Sequence, residues 1–214
     1  MPTCAIDAPL DCALCPRLVA FRQDNQTKYP SFFNAPVPSF GSDNAALLIV
    51  GLAPGLKGAN QTGRPFTGDY AGDTLFETML KTGFASGNYC KVVSDTLHLH
   101  NVTITNAVRC VPPQNKPTTD EIITCRPFLI NQIELMQSKN LRILLSLGKI
   151  SHDTVLKTFG LKLSAFPFTH KAVHKLPNGL TLVDSYHCSR YNVNTGRLTE
   201  KMFLEVFELI KSLA

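Results

Sequence analysis

An unbroken apolar run, AALLIV at positions 45–50, is the feature that most restricts how this chain folds. It is followed directly by a segment from Gly51 to Asp69 that holds five glycines, two prolines and one carboxylate. A short, wholly apolar run bounded by a turn signal is typical of a strand buried on both faces of a parallel sheet. The run therefore predicts an α/β protein in which a glycine-rich loop leaves the carboxyl end of a central strand.

Strands and helices alternate along the remaining chain. β-Branched and apolar runs predict further strands at 101–108, 141–148 and 180–187, with a short edge strand at 171–176. Apolar spacing predicts helices over 71–82, 119–138, 149–158 and 199–214, and Thr118 with Glu121 has the spacing of a capping box. Residues 1–44 are predicted to be rich in loops. This order indicates one α/β domain over residues 1–214, with helices on both faces of the sheet.

Polar or glycine residues follow each of the four main strands. The glycine-rich loop follows the first, Asn106 the second, Gly148 the third and His187 the fourth. In open α/β sheets, ligands bind beyond the carboxyl ends of the strands, so these loops are expected to converge on one pocket.

The glycine-rich loop does not carry a common nucleotide-binding motif. The segment 51–69 has neither the Gly-Lys pair of a P-loop nor the G-x-G-x-x-G spacing of a dinucleotide site. It does offer Phe66, which can stack on a flat ligand, and Asp69, which can act on a nearby water. A purely structural interpretation places Phe66 in the core and Asp69 at the cap of the following helix.

Seven cysteines form an odd set that favours metal or catalytic roles over a disulfide framework. Cys12 and Cys15 form a C-x2-C pair, whereas Cys110 and Cys125 are separated by 14 residues. Four thiolates bind zinc or a [4Fe–4S] cluster equally well on spacing alone, and free buried thiols are a third interpretation. The others, at positions 4, 90 and 188, have no spacing partner.

Composition places the chain among ordinary globular proteins. Hydrophobic residues make up 44%, charged residues 17%, and the net charge is +5. The positive charge weakly favours a polyanionic partner such as nucleic acid. No apolar run reaches the roughly 20 residues of a membrane helix, and the first residues lack a signal-peptide pattern, so a cytoplasmic location is expected.

Two long motifs resemble those of the family 5 uracil-DNA glycosylases. The segment GLAPGLKGANQTGRPFTGD, from Gly51 to Asp69, resembles the first motif of that family, and HCSRYNVNTGRL, from His187 to Leu198, resembles the second. The segment at 104–117, ITNAVRCVPPQNKP, is similar to the central part of these enzymes, and the resemblance extends from about residue 11 to the end.

The resemblance implies a three-layer α/β/α fold with a central four-stranded parallel sheet. It implies a monofunctional glycosylase that hydrolyses the N-glycosidic bond of uracil in double-stranded or single-stranded DNA, and of other altered bases such as hypoxanthine. It also implies a structural [4Fe–4S] cluster held by the four paired thiols, Cys12, Cys15, Cys110 and Cys125. The chain is expected to act as a monomer, and a sliding clamp is a compatible partner that no motif identifies.

The same resemblance assigns roles to single residues. Phe66 corresponds to the ring that stacks on the flipped base, Asn106 to the amide that pairs with the base edge, and His187 to the histidine facing uracil O2. Asp69 corresponds to the carboxylate near the attacking water. The resemblance also assigns the backbone of Gly51 and Ala53 to the base pocket. It assigns Arg190 and Tyr191 to the DNA-binding loop.

This sequence departs from the family pattern at Cys188, where the second motif usually has proline, so that φ is no longer fixed by a ring. Ala53 stands where several other glycosylase families carry a polar, water-activating residue. Two other functions remain open: a family 4 enzyme restricted to uracil, and a non-catalytic iron–sulfur or zinc module that binds DNA.

Overall fold

The computed structural model describes residues 5–213, which form a central six-stranded sheet with helices on both faces. The order across the sheet is β1-β5-β2-β6-β8-β7, and a separate hairpin pairs β3 with β4. The strands are β1 (Phe40–Gly41), β2 (Leu47–Gly51), β3 (Ala85–Ser86), β4 (His98–Leu99), β5 (Val102–Asn106), β6 (Ile143–Leu147), β7 (Val173–Lys175) and β8 (Thr181–Ser185).

The four inner strands β5, β2, β6 and β8 are parallel, and all of their residues are buried. This confirms the α/β fold and the central four-stranded parallel sheet. The short edge strand predicted at 171–176 is present as β7, which pairs antiparallel with β8. The whole sheet is larger than predicted by one strand, because β1 closes the other edge. Strand β1 and the β3–β4 hairpin were not predicted, since two-residue strands are too short to show an alternating pattern.

Within residues 5–213, seven α-helices accompany these strands. Their bounds are α1 (Pro16–Lys28), α2 (Ala59–Thr62), α3 (Tyr70–Thr82), α4 (Thr119–Lys139), α5 (Lys149–Thr158), α6 (Arg190–Asn194) and α7 (Glu200–Leu213). The four predicted helices correspond to α3, α4, α5 and α7. The capping box is present at the start of α4, where Thr118 and Glu121 bond each other's backbone amide.

The prediction that residues 1–44 are mostly loop is wrong for the 13 residues of α1. This helix begins with Pro16 in its first turn, which is a helix-start signal, but its apolar residues form no clear stripe. Arg22 and Asn25 are buried on it beside Leu18, so a pattern based on hydrophobicity alone does not detect its inner face.

A separate apolar cluster lies on each face of the sheet. One joins β2, β5 and β6 to α3 and α7 through residues such as Ile49, Phe76 and Phe207. The other joins the opposite side of the same strands to α4 and α5, through residues such as Leu144 and Leu129. These two clusters produce the three-layer arrangement. Over residues 5–213, no helix combines the length and apolar character that a membrane span requires.

Truncation of a central strand should measure the contribution of this core. We expect Ile49→Ala to lower the free energy of unfolding by about 2–5 kcal/mol, because the Ile49 side chain is fully buried and leaves a cavity. The matched control Ile150→Ala removes the same atoms from a side chain that is 51% exposed, and it should stay within about 0.5 kcal/mol. Denaturant unfolding of both variants measures the difference, and equal losses would contradict this account of the core.

Candidate active site and cysteine cluster

A single cleft lies beyond the carboxyl ends of β2, β5 and β8. It encloses about 920 Å³ including its open mouth. The predicted site residues Ala53, Phe66, Asp69, Asn106, His187 and Arg190 all line it, together with residues that were not predicted: Leu52, Pro54, Gly55, Ala59, Tyr70, Ala71, Asn115 and Ser189. The expected convergence of loops from separate strands is therefore present.

Gly51, the last residue of β2, leaves room for the two side chains that form the back of the cleft. A Cβ at this position would lie 2.4 Å from Oδ1 of Asn106 and 2.7 Å from Cζ of the Phe66 ring. Both separations are far below normal van der Waals contact, so any side chain at position 51 would displace one of these groups. Gly51 is thus directly behind Phe66 and Asn106.

Phe66 is held in an unusual backbone conformation. Its φ is +55°, which is uncommon for a residue with a side chain, and its ring is nearly buried. Tyr89 fixes the turn: its hydroxyl accepts from the amide of Gly68 at 3.2 Å and donates to the carbonyl of Phe66 at 3.4 Å. Gly72 adds a second constraint, because a Cβ there would overlap the Phe66 carbonyl.

A buried ion pair also stabilises the turn that carries Phe66. Arg64 makes a bidentate contact with Asp95, with N–O distances of 2.8 and 2.7 Å, and its Nε donates to Oγ1 of Thr67. Asp95 also accepts from the amide of Cys90. The Arg64 hydrogen bonds hold the pKa of Asp95 below its usual value. Arg64 therefore points into the protein and locks the glycine-rich loop to the segment that carries Tyr89.

Asn106 presents a buried amide with free hydrogen-bonding capacity. Its side chain is 3% exposed, and it forms no side-chain hydrogen bond with any residue in the described part of the chain. Since Asn106 lines the cleft, its donor and acceptor are available to a bound molecule.

Asp69 caps a helix and lines the cleft at the same time. Its Oδ1 accepts from the amide of Gly72 at 3.0 Å at the start of α3, as the structural interpretation of the sequence predicted. Its other oxygen, Oδ2, would lie 2.4 Å from a Cβ on Gly58 and 3.0 Å from one on Gly55. The glycine-rich loop therefore wraps closely around this carboxylate, and capping does not consume both oxygens.

His187 follows β8 and lines the cleft near Phe66. Its ring centroid lies 6.2 Å from that of Phe66. Burial lowers the pKa of His187 below its usual value, and the negative charge of Asp69 offsets part of this effect. Burial therefore favours the neutral form of this imidazole, which carries one N–H.

Cys188, the departure from the family pattern, is completely buried behind His187. Its thiol donates to the carbonyl of Ala71 at 3.4 Å, and burial raises its pKa far above the usual value. The loop that carries His187 is therefore tied to the first turn of α3 by this thiol.

Arg190 and Tyr191 begin the short helix α6 at the mouth of the cleft. The guanidinium of Arg190 lies 5.3 Å from the centre of the Tyr70 ring, and Tyr191 is 74% exposed. A large exposed aromatic ring beside a cation is a suitable surface for nucleic acid.

Asn115 is one of the polar lining residues that the sequence did not identify. It lies in a turn where Gln114 and Asn115 both have positive φ values, 55° and 56°. The signal that was available is the adjacent pair Gln-Asn between prolines in the 104–117 segment, since asparagine tolerates this conformation better than most residues.

The thiols at positions 12, 15, 110 and 125 meet at one end of the molecule. They line a common pocket with apolar neighbours, including Leu14, Leu18 and Phe128. Cys15 caps α1, Cys110 follows β5, and Cys125 lies in α4. The other cysteines differ: Cys90 is exposed, Cys188 belongs to the active-site loop, and Cys4 lies outside the described residues.

Two N–H groups donate hydrogen bonds to thiols of this pocket. Backbone N–H of Arg109 donates to Sγ of Cys125 at 3.4 Å, and Arg22 donates to Sγ of Cys110 at 3.9 Å. Such N–H···S bonds favour thiolates. Without a metal, burial raises the pKa of Cys15 to about 11 and that of Cys110 to about 12, so the pocket needs a cationic centre to hold thiolates.

Comparison with known families agrees with this architecture. The family model described as the uracil DNA glycosylase superfamily matches residues 38–211, and the chain belongs to that superfamily. A type-5 uracil-DNA glycosylase of Thermus thermophilus is 44% identical over 208 residues, covering 95% of this chain and 94% of that protein.

Two other relatives place the chain within the superfamily. A type-5 uracil-DNA glycosylase of Mycobacterium leprae is 38% identical, covering 95% of this chain and 91% of that protein. A type-4 uracil-DNA glycosylase of Sulfurisphaera tokodaii is 31% identical, covering 81% of this chain and 74% of that protein. The type-5 relatives are thus more similar over more of the chain, as the two motifs predicted.

The electrostatic coupling between His187 and Asp69 can be measured directly. We expect the His187 imidazole to titrate below the usual value near 6.5, and Asp69→Asn to lower its pKa further, because a charge that favours the imidazolium is removed. NMR titration of the ring resonances, assigned with His187→Gln, measures both shifts. The unfolded chain binds this proton more readily than the folded chain. The contribution of His187 to the free energy of unfolding is therefore complete above about pH 6.5 and declines as the pH falls. A His187 pKa above 6.5 would contradict the assignment.

Proposed function

We propose that this protein is a monofunctional DNA glycosylase that hydrolyses the N-glycosidic bond of uracil in DNA and so initiates base excision repair. The observation that carries the proposal is the arrangement of one aromatic ring, one unpartnered amide, one neutral imidazole and one carboxylate around a single cleft. These are Phe66, Asn106, His187 and Asp69. Membership of the uracil-DNA glycosylase superfamily supports the same substrate.

Recognition of the base depends on Phe66 and Asn106. A base inside a stacked duplex is out of reach, so the nucleotide has to rotate into the cleft, at a cost of a few kcal/mol. The ring of Phe66 offers a flat surface for stacking, and the free amide of Asn106 offers a donor and an acceptor to the base edge. Because Gly51 has no side chain, both groups pack directly against its backbone, and the ring and the amide form a preformed pocket.

His187 acts as a neutral hydrogen-bond donor. Cleavage of the glycosidic bond leaves negative charge on the uracil oxygens and positive charge on the sugar. A preorganised donor next to the forming oxyanion stabilises the transition state, and its loss typically costs about 10²–10³ in rate. The lowered pKa of His187 keeps the ring neutral, so it stabilises the anion through one N–H without being a strong acid.

Asp69 supplies the negative charge that the sugar requires. Its Oδ1 is fixed by the amide of Gly72, which holds the carboxylate in one orientation at the start of α3. The second oxygen then orients the attacking water and stabilises the cationic sugar. Ala53, which has no polar side chain, leaves this task to Asp69.

The absence of lysine from the cleft supports simple hydrolysis. The side chains that line it, within the part of the chain that the structure describes, include no lysine that would form a Schiff base with the sugar. The product is therefore an abasic site in an intact strand.

The DNA duplex is expected to contact the face that carries Arg190 and Tyr191. Both residues are exposed next to the cleft, and Arg190 is oriented by the ring of Tyr70. Insertion of a side chain from this loop would offset part of the unstacking cost. The chain is expected to bind as a monomer.

A [4Fe–4S] cluster held by Cys12, Cys15, Cys110 and Cys125 completes the proposal. The four thiols line one pocket and two N–H groups donate to their sulfurs, which supports a bound metal centre. The choice of a cluster over a single zinc ion rests on the family resemblance. When bound, such a cluster joins the N-terminal segment, the β5 loop and α4, and its role is structural. Hypoxanthine excision stays a prediction of the type-5 resemblance.

Base release from a duplex with one U·G mismatch tests the catalytic roles. We expect His187→Ala to slow release by about 10²–10³, and Asp69→Asn by about 10²–10⁴. Asparagine caps helices as well as aspartate does, so Asp69→Asn removes the charge and keeps the cap. Alkaline cleavage of the product strand quantifies abasic sites.

Two surface variants serve as matched controls in the same assay. His100→Ala lies on the β3–β4 hairpin and Asp153→Asn on α5, and neither residue lines the cleft. Both should retain the rate of the unmodified protein. Full activity of Asp69→Asn would show that Asp69 has no role in the mechanism. A strand that is nicked without alkali would exclude monofunctional hydrolysis. Tight binding of the duplex without release of uracil or hypoxanthine would favour the non-catalytic module.

The cluster can be tested by iron and sulfide analysis. We expect about four iron atoms per chain in the unmodified protein, and loss of both iron and the broad visible absorbance in Cys110→Ser, because one ligand is removed. Cys90→Ser is the control, since this thiol is exposed and distant in sequence from the four ligands. One zinc ion per chain, in place of iron and sulfide, would contradict the cluster.

A further inference from the structure

A second group of side chains, of the types that ligate metal ions, joins α5 to the sheet and contains none of the four thiols. It consists of His152 on α5, His174 on β7 and Asp184 on β8. His152 and Asp184 are fully buried, and the His174 side chain is 12% exposed. The catalytic scheme proposed above uses none of the three.

The hydrogen bonds of His152 require a positive charge between it and Asp184. Its Nε2 lies 2.9 Å from the carbonyl oxygen of Phe166, which only accepts, so Nε2 carries a hydrogen. In the neutral ring, Nδ1 is then an acceptor, and it faces the carboxylate oxygen Oδ1 of Asp184 at 2.8 Å. Two acceptors at this distance repel unless a proton or a metal ion lies between them.

The surrounding contacts resemble those of a metal centre. His174 approaches the second oxygen of Asp184 at 3.0 Å, and Ser146 donates to the first at 2.6 Å. The ligand atoms of the two imidazoles and the carboxylate all lie within 4.8 Å of one another. In metal centres, a ligating histidine commonly donates its other N–H to a backbone carbonyl, as His152 does to Phe166.

We propose that His152, His174 and Asp184 form a binding site for a divalent transition-metal ion such as Zn²⁺. Two imidazoles and one carboxylate are a common ligand set for such ions, with ligand bonds of about 2.0–2.2 Å. Nδ1 of His152 and Nε2 of His174 provide the nitrogen ligands, and Ser146 orients the carboxylate. Water takes the remaining positions next to the partly exposed His174.

The ion would connect three elements of one half of the sheet. Asp184 lies on inner strand β8, His174 on edge strand β7, and His152 on α5, while Phe166 ties the segment between α5 and β7 to the same centre. The strand β8 leads to His187, and α5 begins at Gly148, where an added Cβ would lie 3.4 Å from Cβ of His187. The site is thus a structural one that supports the wall of the cleft.

Metal titration of the cluster-loaded protein tests this proposal, because the four thiols are then occupied. We expect one equivalent of Zn²⁺ to bind and to raise the thermal midpoint. In His174→Gln, binding should weaken by at least about 100-fold, since one of three ligands is lost whereas the glutamine amide can still donate to Asp184. The control His98→Gln changes an exposed histidine on β4 and should bind Zn²⁺ as the unmodified protein does.

Cobalt substitution identifies the ligands independently. Co²⁺ bound by nitrogen and oxygen gives visible bands without the sulfur-to-cobalt charge-transfer band of a thiolate site, and these bands should be absent in His174→Gln. The proposal is overturned if the cluster-loaded protein binds no Zn²⁺, if His174→Gln binds it equally well, or if the Co²⁺ spectrum shows sulfur ligands. In those cases the three residues share protons instead of a metal ion.

Discussion

The close packing of Phe66 and Asn106 over Gly51 is the constraint on which the active site depends. Gly51 pairs with Asn106 in the β2–β5 register, and the pairing continues one step beyond the strands through Ala107 to the Gly51 carbonyl. A side chain at position 51 would occupy the volume of the Phe66 ring and the Asn106 amide. The base pocket therefore follows from backbone pairing in the sheet, and the loop that carries Phe66 is fitted against it.

The electrostatics of the cleft depend on Asp69, whose carboxylate has two roles. Asp69 caps α3 through Oδ1, so its carboxylate lies against the partial positive charge of the helix N-terminus. The same negative charge raises the pKa of His187, which burial lowers more strongly. The start of α3 and the loop after β8 thus place a carboxylate and an imidazole in the same cleft, where the charge of one affects the pKa of the other.

The cysteine pocket and the cleft are joined through one short segment. Asn106 ends β5, and Cys110 follows four residues later. Between them, Arg109 is completely buried and donates to Gln132 on α4 and to the Ile6 carbonyl. A metal centre bound by Cys110 and Cys125 would therefore be connected to Asn106 through this short segment.

The sequence by itself determined the α/β class, the four parallel strands, the capping box of α4 and the group of side chains that meets at the strand ends. Continuous apolar runs and long motifs report local structure and strand order, so these features were predictable. Helix α1, the inward orientation of Arg64 and the His152–His174–Asp184 group were decided only by the tertiary structure. Each depends on polar side chains that are buried against partners far away in the sequence, such as Arg64 against Asp95 and His152 against Asp184. Hydrophobic periodicity carries no information about such partners, because their burial becomes favourable only once the fold has brought them together.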